Sequence, residues 1–105
     1  MKTKSMERKV VDFTGVKTDW EFHTCFIEPL KLIGIECGMK EGYVYARNFS
    51  ALWDLLYPRF SEPTTVVLKG LDKLSKEFDE DVEITKRIFK RLVERDKNVS
   101  VVYED

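Results

Sequence analysis

One short run limits what this 105-residue chain can become. Pro63-Thr64-Thr65-Val66-Val67-Leu68 is nearly continuous in β-branched and apolar residues. A strand with one wet face alternates polar and apolar positions; an unbroken run belongs to a strand covered on both faces, at the centre of a parallel sheet. The other elements have to be compatible with that strand.

Two further strands are predicted. Arg8 to Phe13 holds the pair Val10-Val11 and ends at the turn signal Thr14-Gly15, and Asn98 to Tyr103 closes the chain with Val99, Val101 and Val102. Helical signals fall between the strands. Thr18 with Glu21 has the form of a capping box, so a first helix starts near Thr18; Trp20, His23, Ile27 and Leu30 share its inner face, and Pro29 ends or kinks it around Glu28. Asn48 is an N-cap for a second helix in which Phe49, Leu52, Trp53 and Leu56 follow at the spacing of a buried stripe until Pro58. Leu71, Leu74 and Phe78 predict a short third helix. The acidic run Asp79-Glu80-Asp81 then favours the start of a fourth, reaching about Arg95 with Thr85, Ile88, Phe89 and Leu92 inward. Gly34 to Arg47 breaks every period and reads as a long ordered loop or one with a short extended piece. The expectation is an α/β fold, a small three-stranded parallel sheet packed with about four helices, as one domain over residues 1–105.

Composition narrows the function classes. Eighteen Lys and Arg against nineteen Asp and Glu leave a net charge of −1, so no overall field draws the chain to nucleic acid or anionic lipid. The basic start, MKTKSMERKVV, lacks the apolar run of a signal peptide, and no run of roughly 18 apolar residues occurs, so a cytoplasmic protein without a membrane segment is expected. Cys25 and Cys37 read as reduced structural thiols, with a disulfide between them as the alternative in an exported chain.

No enzyme is expected. His23, the single histidine, lies near the apolar side of the first helix, where a packed ring outweighs a catalytic base. No phosphate-cradling glycine loop is present, and no metal set or cofactor motif is identified. The carboxylates from Asp79 to Glu83 lack the spacing of a calcium loop and read as a solvated helix cap rather than a site for a hard cation. Lys86, Arg87, Lys90, Arg91, Arg95 and Lys97 make the outer side of the fourth helix basic. A solvated face interleaved with Glu83 and Glu94 is the plainer reading, and a nucleic-acid-binding module using this face is the alternative.

The second helix, NFSALWDLLY, carries Ser50 and Asp54 one turn apart on its outer side and Trp53 at the edge between core and solvent. Tyr43, Tyr45 and Arg47 lie just upstream, residue types enriched at interface hot spots. The plain alternative for Trp53 and Asp54 is an indole that completes the core beside a solvated carboxylate.

Tyr45-Ala46-Arg47-Asn48-Phe49-Ser50-Ala51-Leu52-Trp53-Asp54 resembles a motif of the barstar family of ribonuclease inhibitors, and the order of strands and helices is similar along the chain. The resemblance implies an immunity protein that lays its second helix and preceding loop across the active site of a cognate ribonuclease toxin. It also implies a one-to-one complex formed by a free monomer, in a contact-dependent growth inhibition system or a similar toxin and immunity pair. Asp54 matches the family's principal acidic contact, a carboxylate that takes the place of a phosphate in a cationic cleft. Ser50 stands where the family has a second aspartate, Val44-Tyr45-Ala46-Arg47 replaces Tyr-Tyr-Gly-Glu, and Arg91 replaces an acidic contact on the last helix. The toxin-contacting residues implied are Tyr43, Tyr45, Arg47, Ser50, Trp53, Asp54 and Arg91, with charges rewritten for a particular partner.

Overall fold

A computed structural model describes residues 7–105, so the basic start up to Met6 lies outside the described residues. Strands β1 (Glu7–Asp12), β2 (Thr64–Lys69) and β3 (Val99–Glu104) form one parallel sheet in the order β1-β2-β3, and β2 is central as its sequence requires. Rows such as Val10, Val67 and Val102 run straight across it. Both crossovers step in the same direction, so with the right-handed connection that parallel strands adopt they lie on one side of the sheet.

That side holds the core. Val11, Val66, Leu68 and Val99 pack with buried residues of the helices, whereas Val67 on the other face has Val10 and Val102 beside it, each 40% exposed. Val66, Val67 and Leu68 are all completely buried, so β2 is covered on both faces as its sequence predicts. Among the described residues the helical layer is one-sided, and Val67 is sheltered by its neighbours in the row.

Three of the four expected helices have α-helical counterparts. The first is broken in two, α1 (Asp19–Thr24) and the single turn α2 (Ile27–Leu30). The break falls at Cys25, four residues before Pro29, because a proline ring clashes with the carbonyl one turn back and offers no amide to it. The capping box is present, with Thr18 accepting from the Glu21 amide and Glu21 accepting from the Thr18 amide, both at 3.1 Å. Helices α3 (Phe49–Leu56) and α4 (Asp79–Arg95) match their predicted spans, and Asn48 caps α3 by accepting from the Ala51 amide at 2.8 Å.

The third predicted helix is not α-helical. Leu71–Lys73 and Lys76–Phe78 are separate 3₁₀ turns with Leu74 extended between them. Gly70, at φ 78°, ends β2 in a left-handed conformation, and a Cβ there would meet Thr14 Oγ1 at 3.4 Å, so the chain leaves the sheet through a turn that favours glycine. The long loop contains the extended piece, an antiparallel bridge between Ile33 and Val44. Cys25 and Cys37 are free thiols. No helix among the described residues is long and apolar enough to cross a membrane.

Aromatic rings fill the centre. Phe22 stacks on Phe13 at 5.0 Å and on Phe78 at 5.9 Å between centroids, with Phe26 and Phe49 edge-on to it. This cluster joins β1, α1, the start of α3 and the turn before α4, and so sets where α3 stands against α4.

Candidate functional site

Helix α3 turns Leu52, Leu55 and Leu56 into the core, and a groove opens between it and α4. Phe49, Ser50, Trp53 and Asp54 from α3 and Arg87, Ile88 and Arg91 from α4 line this open groove, whose volume is about 440 Å³. Positions 50 and 54 are one turn apart on α3, as are 87 and 91 on α4, so polar groups rim both walls. The floor is apolar, made by Phe49, Ile88 and the indole of Trp53. Trp53 stacks on Tyr57 at 5.4 Å, and the Arg91 guanidinium lies 5.8 Å from its ring centroid. Among the described residues neither Asp54, Arg87 nor Arg91 has an ion-pair partner within 4.0 Å. Those charges remain available to a partner molecule.

Four of the seven residues singled out in the sequence, Ser50, Trp53, Asp54 and Arg91, thus meet in one groove. The other three lie elsewhere. Arg47 adopts φ 59°, a left-handed conformation that costs a non-glycine residue about 1 kcal/mol or more. Its guanidinium is stacked 3.7 Å over the ring of Trp20, and its Nε donates to Thr24 Oγ1 at 3.0 Å, so it is laid along α1. Tyr43 is half-buried against the core.

Tyr45 is buried, 1% exposed, and its place among the contact residues is corrected. The Ile33–Val44 bridge makes this segment extended, so Val44 points outward and its neighbours point in. The Tyr45 hydroxyl lies 3.0 Å from the Asn48 carbonyl, to which it can donate, and 2.8 Å from His23 Nδ1, with which it shares a hydrogen bond. A phenol has one proton: with it on the Asn48 carbonyl, His23 carries its own proton on Nδ1, and with it on Nδ1, the imidazole proton sits on Nε2. Burial raises the Tyr45 pKa and lowers that of His23, which keeps the phenol protonated and the imidazole neutral. Through this chain of bonds α1 is tied to the residue that caps α3. Tyr45→Phe is expected to cost about 1–3 kcal/mol, the penalty for leaving a buried donor without a partner, in a urea titration, with partner affinity unchanged. Unchanged stability with lost affinity would return Tyr45 to the contact surface.

Trp20, expected on the inner face, is 64% exposed, because Phe22 and Phe26, four residues apart, take the inner side of α1 and its continuation. The signal was the longer apolar pair, against which a stripe through Trp20 leaves Phe22 in solvent. The basic side of α4 is also divided. Arg87 and Arg91 face the groove, while Lys86 is bound to Asp72 at 2.7 Å and lies 5.6 Å over the ring of Tyr103 on the other flank.

No protein-family model matches this chain, and no curated protein matches it in sequence.

Proposed function

We propose that this protein is a barstar-like immunity protein that binds a cognate ribonuclease toxin through the groove between α3 and α4 and blocks the toxin's active site. The observation that carries the reading is the unpaired carboxylate of Asp54 on a rigid helix beside the ring of Trp53, in the motif that resembles the inhibitor family. A ribonuclease cleft is cationic because it holds a phosphodiester, and a fixed carboxylate competes for that position without the cost of ordering a flexible chain. The aromatic floor supplies apolar area of the kind that concentrates binding energy.

Arg87 and Arg91 make the groove mixed in charge. This suits a toxin whose cleft offers carboxylates opposite α4, and it sets like charge against a cleft that is cationic throughout; that repulsion is how a toxin and its inhibitor come to recognise only each other. The complex is one-to-one, formed in the cytoplasm by a monomer.

Affinity capture from cells producing candidate toxins, with wild type and Asp54→Lys as parallel baits, tests the reading. A nuclease retained by wild type alone supports it. Equal retention by both baits moves the contact away from the groove, and retention of no nuclease by either refutes the immunity function.

The two unpaired arginines favour one rival, a nucleic-acid-binding module. It predicts a gel shift that weakens steeply with salt and ignores Asp54, since phosphate contacts exchange with bound counterions.

A further inference from the structure

A second set of functional groups lies where α1 meets the first turn of α4, on residues that the proposed function does not use. Asp19 and His23 are four residues apart and share one face of α1, and Asp81 approaches them from the first turn of α4. One ligand atom from each lies within 4.8 Å of the other two. His23 is 4% exposed; Tyr45 holds its Nδ1 at 2.8 Å, which leaves Nε2 facing the two carboxylates, and in the tautomer protonated on Nδ1 that nitrogen offers its lone pair. The nearest carboxylate oxygen, Asp19 Oδ1, is 4.0 Å away, too far for a hydrogen bond.

Three electron-pair donors thus converge, two of them formally anionic. Among the described residues no lysine or arginine lies within 4.0 Å of Asp19 or Asp81. Macrodipole stabilisation accounts for acidic residues at the start of α4 but not for a buried imidazole whose Nε2 faces them. The two carboxylates repel one another, and a cation held between them and the imidazole relieves that repulsion.

We propose that Asp19, His23 and Asp81 form a binding site for a divalent first-row transition metal ion of the zinc type, with water completing the coordination. Imidazole nitrogen selects such an ion over magnesium or calcium, which prefer oxygen alone. Metal bonds of about 2.0–2.2 Å put tetrahedral ligand atoms roughly 3.3–3.5 Å apart. Asp19 is exposed and Asp81 half-exposed, so rotation of their side chains closes the remaining distance, and both also line an open depression of about 230 Å³ that admits a hydrated ion to the two carboxylates. With metal on Nε2, His23 Nδ1 carries the proton and donates to Tyr45, which in turn donates to the Asn48 carbonyl; this is the outer support that holds a metal-binding imidazole in one orientation. Occupied, the site fastens α1 to α4 and, through Tyr45, to the cap of α3.

Because His23 is the only histidine, its ring resonances report on this site alone. The test is titration of the full, reduced chain with zinc chloride, followed by calorimetry and by ¹⁵N NMR of the imidazole, with magnesium chloride as control. One zinc ion per chain, a large shift of Nε2 and no response to magnesium are expected. Asp19→Asn, on an exposed side chain that leaves the core untouched, and Asp81→Asn are each expected to weaken zinc binding at least about tenfold. Imidazole resonances unmoved by stoichiometric zinc would overturn the proposal, including when calorimetry records binding, since that ion would sit on the thiols of Cys25 or Cys37. Affinity unchanged in both aspartate variants would overturn it as well.

Discussion

Asp54→Lys is expected to weaken the complex with the cognate nuclease by about 2–5 kcal/mol, or roughly 30-fold to a few thousand-fold. The carboxylate is exposed in the free protein and has no ion-pair partner within 4.0 Å among the described residues, so the fold does not depend on it. Once covered, it is desolvated against the toxin's cationic groups; reversing its sign removes that attraction and adds repulsion where water no longer screens it. Thermal stability should stay within about 0.5 kcal/mol of wild type, the range for a surface change away from any special contact. Titration calorimetry beside a melting curve separates the two quantities. A parallel loss of affinity and melting temperature would make Asp54 a structural residue.

The largest effect on stability is expected from Phe22→Ala. Phe22 is completely buried and meets Phe13, His23, Phe26, Phe49 and Phe78. Removing its ring forfeits transfer free energy and leaves a cavity between elements too rigid to collapse into it. Such truncations cost about 3–5 kcal/mol, a large part of the roughly 5–15 kcal/mol that holds a domain folded. For a chain of this size each kcal/mol lowers the melting temperature by about 4–8 °C, so a fall beyond about 12 °C is expected in calorimetry. A change of only a few degrees would show that the aromatic cluster is not the centre of the core. Because Phe22 also supports Phe49, partner affinity should drop as the groove loosens.

The parts of the fold most legible in the sequence were those with a single physical solution. The Val-rich runs at 66–67 and 99–102 had no use except as strands, and Asn48 with the apolar spacing behind it left one start for α3. The inner side of α4 was equally determinate, as Thr85, Phe89 and Leu92 are buried and Ile88 packs against the core. Where two solutions competed, the reading failed. Leu71, Leu74 and Phe78 fit an α-helix, but a three-residue step aligns equally well in 3₁₀ geometry, and Leu74, extended at ψ 154°, breaks the run between two such turns. In α1, a stripe through Trp20 and a stripe through Phe22 and Phe26 are both periodic; only tertiary packing onto Phe13 decides between them.

The candidate groove was half legible. Ser50, Trp53 and Asp54 sit on one short helix, so their shared side follows from helical spacing alone. That Arg91 joins them depends on how α4 crosses α3, which no local pattern encodes. Tyr45 was misplaced because residue type describes what an interface prefers but not which alternate of an extended segment faces inward. The Asp19–His23–Asp81 cluster was hidden for a related reason, since Asp81 is more than fifty positions from the other two and meets them only where the first turn of α4 approaches α1.

Amide hydrogen exchange of the chain, alone and saturated with the nuclease it captures, tests most directly where that partner binds. New protection is expected in α3 from Phe49 to Leu56 and in α4 around Arg87 and Arg91, with the sheet edge at β3 unchanged. Protection confined to β3, or to the outer flank of α4 around Lys86 and Lys90, would contradict the assignment of the groove as the inhibitory surface.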